Sequence, residues 1–132
     1  MTQEYRSETL ERALKKLHIA VDGVKASVIV NIDGLLVAAY PSGDDDPLEN
    51  PTSNPQVAAM SATLIALAER TLRRLAQGEL ERLLMEGEDG VMVVFPAGRA
   101  SLAVLVEKGA RLSHVLYAAK RAAQEVTEIL GQ

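Results

Sequence analysis

The chain contains no cysteine and no tryptophan, and it has only one phenylalanine and three tyrosines. Without cysteine there can be no disulfide bond, no thiolate nucleophile and no cysteine-type zinc site. So few aromatic side chains argue against a surface that stacks on nucleic-acid bases. Positive charge is not in excess either, because 14 Lys and Arg against 18 Asp and Glu give a net charge of −4. We therefore expect no nucleic-acid partner.

Long hydrophobic runs are also missing. No apolar run approaches the roughly 18 residues that a membrane-spanning helix needs. The first 16 residues are polar and carry no apolar core before a cleavage site, so we expect no signal peptide. A length of 132 residues with 48% hydrophobic residues is typical of one globular domain. We expect a single domain over residues 1–132 that acts in the cytoplasm, with residues 1–6 as a loose lead-in.

Motifs that carry catalysis or hold cofactors are absent from the sequence. It has no phosphate-binding glycine loop, no HExxH and no GxSxG. His18 and His114 fall at the end and the start of predicted helices, which favours boundary histidines over a general base. Residues 44–46 are three consecutive aspartates, but they lack the alternate spacing and the distal glutamate of a calcium loop. We therefore expect no enzyme activity, no catalytic residues, no cofactor and no metal site.

The central feature that is present is a long helix, predicted over residues 55–76. Pro55 suits a first helical turn, Asn54 is a good N-cap and Gly78 is a good stop. We place the large apolar residues on one face, packed on the chain's own sheet: Val57, Met60, Leu64, Ile65, Leu67, Leu72 and Leu75. The opposite face is small and then mostly basic: Ala58, Ala59, Ala62, Thr63 and Ala66, then Glu69, Arg70, Arg73 and Arg74.

Two interpretations of that opposite face stay open. Its small residues either allow close contact with a helix from a second copy of the chain, or they are simply good helix formers facing solvent. Its arginines either complement the helix dipole or form a patch for an acidic partner surface. An arginine finger is disfavoured, because such fingers usually work from mobile loops and these arginines lie on a regular helix.

Turn signals divide the remaining chain into two helices and five strands. A first helix follows an N-cap at Ser7, a hairpin turns at Asp33-Gly34, and residues 41–54 form one long acidic loop. A three-stranded meander follows over residues 79–107. Its charged first strand, 79–86, suits a sheet edge, although this segment could also extend the central helix. We expect strand 91–95 to be buried and central, and a last helix over 114–130 to be capped by Ser113.

The resulting order, α-β-β-α-β-β-β-α, predicts an α/β sandwich with a five-stranded, mostly antiparallel sheet. The two terminal helices should share one face of the sheet, and the central helix should cover the other. One helix is too narrow to cover five strands that lie about 4.8 Å apart. A second copy is therefore expected to cover the rest of that face, which favours a homodimer.

The order and spacing of these pieces resemble the roadblock/dynein light chain family, in its stand-alone bacterial form. The resemblance spans roughly residues 8–130 and rests on five pieces: a helix that ends in VDGVKA (21–26), the hairpin VIVNIDGLLVA (28–38), an alanine-rich helix that ends in LAQGE (75–79), VMVVFPAGRASLAVLV (91–106) and YAAKRAAQEVTEIL (117–130). The acidic loop at 41–54 departs from a minimal family domain.

The resemblance implies a homodimer in which central helices pack together and edge strands join two sheets. Its interface would comprise Ala58, Ala59, Ala62, Thr63, Ala66, Leu80, Arg82 and Leu84. The resemblance also implies a Ras-like small GTPase as partner, whose nucleotide state changes when the dimer docks near its switch regions. Arg70, Arg73 and Arg74 would contact that GTPase. The alternatives are a passive dimeric scaffold and, less favoured, a small enzyme or ligand-binding domain.

Overall fold

The computed structural model describes residues 3–42 and 51–131, which form three helices and five strands. In chain order they are α1 (Gln3–Ala20), β1 (Val24–Asn31), β2 (Leu36–Tyr40), α2 (Pro55–Arg74), β3 (Leu83–Glu86), β4 (Gly90–Ala97), β5 (Ala100–Glu107) and α3 (Leu112–Leu130). A short 3₁₀ turn, Pro51–Ser53, precedes α2. This order confirms the predicted α-β-β-α-β-β-β-α arrangement.

The five strands form one antiparallel sheet in the order β2-β1-β5-β4-β3. The predicted edge position of β3 is confirmed. The prediction that β4 is the central, fully buried strand is wrong, since β5 occupies the centre and pairs with both β1 and β4. Val91 and Met92 of β4 are only partly buried, although β3 pairs with both.

The helices lie in two layers, as predicted: α1 and α3 cover one face of the sheet and α2 covers the other. Alternate residues of a strand point to opposite faces, so one strand serves both cores. In β1, Ile29 points into the larger core beneath α1 and α3, whereas Val28 and Val30 point into the smaller core beneath α2. The apolar runs of the strands therefore have cover on both sides.

The β1–β2 hairpin anchors the start of α2. The Asn31 side-chain Oδ1 accepts hydrogen bonds from the backbone N–H groups of Asp33 (2.9 Å) and Leu35 (3.0 Å). Gly34 has φ +84°, and a Cβ at this position would lie 3.1 Å from the Cα of Ala59. The glycine therefore serves both the left-handed turn and the close approach of the turn to α2.

The two ends of α2 differ in how well the sequence predicts them. The N-cap is confirmed, since the Asn54 side chain accepts a hydrogen bond of 2.8 Å from the backbone N–H of Gln56. The predicted extension to residue 76 and stop at Gly78 are wrong. Ala76 itself takes the left-handed conformation (φ 55°), and the Gln77 N–H donates to the Leu72 carbonyl at 2.9 Å. This is a Schellman stop built on an alanine.

The starts of the other two helices also differ from prediction. α1 begins at Gln3, so Ser7 lies inside the helix and residues 3–6 are not the loose lead-in that we expected. α3 begins at Leu112 after an N-cap at Arg111 that makes no side-chain capping hydrogen bond, so Ser113 is not the cap. Gly131 ends α3 with φ 70°, which confirms the predicted stop.

The meander begins later than predicted, because β3 comprises only Leu83–Glu86 and residues 79–82 do not pair. Continuing the β3–β4 register would place Glu81 opposite Pro96, which has no N–H to donate. Of the predicted acidic loop 41–54, residues 43–50, including the three aspartates, lie outside the described residues.

Candidate protein-interaction surface

An apolar stripe runs along the side of α2 that faces away from the sheet. Three of its side chains are largely exposed: Met60 (60%), Leu67 (53%) and Leu75 (61%). We call this surface the α2 stripe and define it as Met60, Leu64, Leu67, Thr71 and Leu75. Spacings of three and four residues place these positions along one side of a helix. Exposed apolar patches of this kind mark interaction surfaces.

The α2 stripe corrects the predicted orientation of the helix. Ile65 is buried against the sheet, whereas Leu67 is exposed, because residues two apart lie about 200° apart around a helix. The large residues therefore cannot all share one face, and small ones, Ala58 and Ser61, occupy much of the sheet side. The helical spacing of Ile65 and Leu67 in the sequence already indicated that they lie on different sides of α2.

The predicted small-residue interface is divided by the structure. Ala58 is fully buried in the chain's own core, and Ala62 is partly buried against the same core, so the prediction that Ala58 contacts a second copy is wrong. Ala59, Thr63 and Ala66 are exposed on the flank of α2 and stay predicted contacts. The helix comes close to its own sheet at its small residues.

The predicted contacts around β3 do not share one surface. Leu80 is partly buried beside the α2 core, and Arg82 is exposed. Leu84 pairs with Val93, whose side chain lies in the core beneath α1 and α3. Leu84 therefore points to the sheet face opposite α2, and only an interface at the sheet edge could include both Leu84 and the α2 stripe.

The three arginines lie exposed on the last turn and a half of α2. At about 100° per residue they spread around the helix. Arg74 borders the α2 stripe, Arg70 lies farther from it, and Arg73 lies on the far flank. All three also suit the negative end of the helix dipole. The cluster is therefore a basic rim beside an apolar surface.

Metal sites and membrane-spanning helices are both absent from residues 3–42 and 51–131. This part of the chain holds no group of three or more His, Asp or Glu side chains arranged to bind a metal ion. Within the same residues, every helix is too short or too polar to span a lipid bilayer.

His18 lies half-buried between α1 and the sheet. Its Nε2 lies 3.0 Å from the Ser27 Oγ, and its ring meets the Tyr40 ring edge-on with centroids 4.7 Å apart. Desolvation by burial lowers the pKa of His18 from 6.5 to about 4. His114 is exposed on α3. His18 is thus a packed boundary residue, as the sequence indicated.

The depressed pKa of His18 predicts a pH-dependent stability. Between about pH 6.5 and 4 the unfolded chain binds a proton at His18 that the folded chain does not, so stability falls as the pH is lowered through this window. We expect a loss of about 1–2 kcal/mol, after allowance for the solvent that still reaches the ring. Denaturant unfolding at pH 7 and 4.5 should show a smaller loss for His18→Gln than for the unsubstituted chain.

His114→Gln is the matched control, since it removes an exposed imidazole from α3 in the same helical layer. It should leave the pH dependence unchanged. Equal slopes for His18→Gln and the unsubstituted chain would contradict the assignment.

Solved structures share this architecture. Myxococcus xanthus MglB superimposes with a TM-score of 0.80 at 18% identity, covering 94% of this chain and 89% of that one. A Roadblock/LC7 domain from Streptomyces avermitilis gives a TM-score of 0.78 at 21% identity, covering 92% of this chain and 98% of that domain. The fold is therefore of the Roadblock/LC7 class.

The chain belongs to the Roadblock/LC7 family, because the family model matches residues 11–107. An uncharacterized protein of Methanocaldococcus jannaschii, MJ1340, is 32% identical over 117 residues, which cover 89% of this chain and 96% of the relative. A second protein of that organism, MJ0310, matches with the same identity and coverage. These relatives are archaeal, so they lend no support to the expected bacterial form.

Proposed function

We propose that the chain is a non-enzymatic homodimer that regulates a Ras-like small GTPase. Membership of the Roadblock/LC7 family supports a regulatory or adaptor role. The observation that carries the proposal is the α2 stripe, with Met60, Leu67 and Leu75 each more than half exposed. A helix that buries one side and exposes a second apolar side can pack that second side against a partner. Such packing is favourable because it removes apolar surface from water.

A second copy is a suitable partner for the α2 stripe. Under a two-fold axis the same surface is used on both chains, so each apolar residue is buried twice per dimer. The edge strand β3 lies in the same half of the sheet and has one unpaired side. Pairing of two β3 strands would extend the sheet across the dimer and satisfy their free backbone groups.

The GTPase contact is proposed for the basic rim formed by Arg70, Arg73 and Arg74. Exposed cations beside an apolar contact attract an acidic partner surface and orient it during encounter. We propose that docking there reaches the GTPase switch regions. In this proposal the chain supplies no catalytic group, and it would act by binding one conformation of the switch regions more tightly than the other. This action is proposed for the cytoplasm.

The test compares the rates of GTP hydrolysis and nucleotide release of a GTPase with and without this chain. The Ras-like GTPase encoded nearest to the chain in its own genome would be assayed for single-turnover GTP hydrolysis and for release of a fluorescent GDP analogue. At saturating chain we expect at least one of these rates to change about fivefold or more, the lower range of typical allosteric coupling.

Variants would then locate the contact. The triple substitution Arg70→Glu, Arg73→Glu and Arg74→Glu should abolish the effect, while Arg111→Glu, an exposed arginine in the opposite layer, should leave it intact. Unchanged rates of hydrolysis and exchange at a saturating concentration of the chain would contradict the regulatory proposal. Binding without any change in either rate would favour the passive dimeric scaffold instead.

A further inference from the structure

The turn of the β1–β2 hairpin presents apolar side chains to solvent. Ile32 is 74% exposed, Leu35 is 64% exposed and Leu36 is 41% exposed. We call these three residues the hairpin tip. Turns are usually built from glycine, proline and small polar residues, and single exposed apolar residues are ordinary. Three large apolar residues within positions 32–36 instead form a patch, and such patches indicate an interaction surface.

Hydrogen bonds and packing against α2 hold the hairpin tip in place. The Asn31 N–H donates to the Leu35 carbonyl at 2.9 Å, and the Gly34 N–H donates to the Asn31 carbonyl at 3.0 Å. Gly34 is packed on α2, where an added Cβ would lie 3.1 Å from the Ala59 Cα and 3.8 Å from the Ala62 Cβ. The tip therefore has little backbone freedom to lose when a partner binds, which lowers the entropic cost of binding.

The side of α2 that the turn contacts also carries two of the exposed arginines. Arg70 follows Ala59 by eleven residues, and Arg73 follows Ala62 by the same number. Eleven residues make about three helical turns and span about 16 Å. Both arginines therefore lie on the same side of the helix as the contact with the hairpin. This side has an apolar patch at its first half and cations near its end.

The charges along this side differ between its two ends. Asp33 is exposed in the hairpin turn, but about three helical turns separate it from the arginines, which is farther than the Debye length of about 8 Å at physiological salt. Glu69 lies beside the arginines and is only partly exposed, so Arg70 and Arg73 leave that end basic. A partner surface that fits has an apolar patch and, about 16 Å away, acidic groups.

We propose that the hairpin tip is the apolar anchor of the surface that binds the small GTPase, beside the acidic groups that Arg70 and Arg73 contact. This inference rests on the proposed function and adds the part that the basic rim lacks. Exposed ion pairs contribute little to affinity and mainly guide the encounter, whereas burial of apolar side chains holds the complex together. The anchor and the rim thus have separate roles.

A second copy of the chain fits this side of α2 less well. In an antiparallel two-fold contact the apolar tip would lie on the arginines of the other copy. In a parallel contact the arginines would lie on arginines, and like charges repel. An unlike partner with an apolar patch and acidic groups satisfies both ends at once.

The test uses the double substitution Ile32→Ser and Leu35→Ser, at two exposed positions between the strands. Its binding to the Ras-like GTPase encoded nearest to the chain in its own genome would be followed in real time, with the GTPase loaded with GDP or with a non-hydrolysable GTP analogue. We expect the dissociation rate to rise about tenfold or more, because loss of apolar contact acts mainly on dissociation. The salt dependence of association should stay unchanged between about 0.05 and 0.5 M salt.

Two other double variants separate an anchor from a general surface effect. Ile19→Ser with Tyr117→Ser is the matched control, since Ile19 is 76% and Tyr117 is 66% exposed on the helices of the opposite layer. It should bind as the unsubstituted chain does. Arg70→Glu with Arg73→Glu should instead slow association and reduce its salt dependence. An unchanged urea midpoint for the hairpin variant shows that it is folded, and Ile32→Ser alone repeats the test with the smaller change.

Three results would overturn the proposal in different ways. An unsubstituted chain that binds neither nucleotide form of the GTPase would overturn the proposed function and the hairpin contact together. Binding by the unsubstituted chain, with an equal dissociation rate for the hairpin variant, would overturn the hairpin contact alone. A smaller mass of the hairpin variant in sedimentation would assign the tip to a contact between copies instead.

Discussion

Leu67→Arg is expected to convert the proposed α2-linked dimer into a monomer. Leu67 lies in the middle of the α2 stripe and is 53% exposed within its own chain, so the substitution should disturb the fold little. Two-fold symmetry removes two leucines from each interface. A fully exposed leucine contributes about 1.5–3 kcal/mol when it is buried, and about half of that remains for each Leu67, so the loss is about 1.5–3 kcal/mol per dimer. The dimer dissociation constant should therefore rise about 10- to 150-fold.

The oligomeric state should be measured by sedimentation equilibrium. Ile19→Arg is the matched control, since Ile19 is 76% exposed on α1 at the opposite side of the sheet. That variant should keep the mass of the unsubstituted chain. An unchanged mass for Leu67→Arg would place the interface elsewhere.

Ala66→Arg separates the two surfaces of α2 that could form the dimer. Ala66 lies on the small-residue flank with Ala59 and Thr63, about 100° around the helix from Leu67. A larger effect of Leu67→Arg than of Ala66→Arg supports the α2 stripe as the centre of the interface, and the reverse order supports the small-residue flank. Ala62→Glu is unsuitable, because Ala62 packs against its own core.

Gly23→Ala is expected to destabilise the fold by about 2–5 kcal/mol. Gly23 has φ +98°, and the Cβ of an alanine there would overlap with the Cβ of Ala110 in the loop between β5 and α3. The left-handed conformation costs a non-glycine residue about 1–2 kcal/mol, and overpacking adds about 1–3 kcal/mol. The Gly23 carbonyl also accepts a hydrogen bond of 2.8 Å from the Glu107 N–H, so the loop cannot simply move away.

Gly78→Ala is the matched control for backbone strain. Gly78 has φ +87°, but an added Cβ there would have no neighbour within 4 Å. It should cost about 1 kcal/mol, because the strain is partly offset by the smaller entropy of the unfolded chain. Equal losses for the two variants in denaturant unfolding at one protein concentration would contradict the clash.

Ala110→Gly provides a rescue for the clash. In the Gly23→Ala background it removes the obstructing methyl group and should recover about 1–2 kcal/mol, whereas alone it should destabilise. A rescue of this sign identifies the contact between the loop that follows α1 and the loop that precedes α3.

The order of elements and the two layers could be predicted from local signals. The Asp33-Gly34 turn, the Asn54 cap and the Gly131 stop each act within a few residues, and each is where the sequence placed it. Local signals also misled at the end of α2, where Ala76 takes a conformation that Gly78 was expected to supply. The Schellman hydrogen bonds offset the strain that an alanine carries there.

The candidate site was predicted less well, since it depends on which side of α2 meets the sheet. Residue size predicted that the bulky side of α2 faces the sheet. In the structure, Ala58, Ser61 and Ile65 face it instead. The small residues allow the hairpin turn at Gly34 to approach the backbone of Ala59. As a result, the bulky Met60 and Leu67 lie on the side of α2 that faces away from the sheet, in the α2 stripe.

The sequence by itself determined the fold class, the absence of cysteine chemistry and the family, because periodicity, turn residues and composition act locally or over the whole chain. Only the tertiary structure decided two further features: the rotation of α2 and the start of β3 at Leu83. The physical reason is the same in each case. Each depends on contacts between segments far apart in the chain, and packing space and backbone hydrogen bonding there outweigh the preferences of single residues.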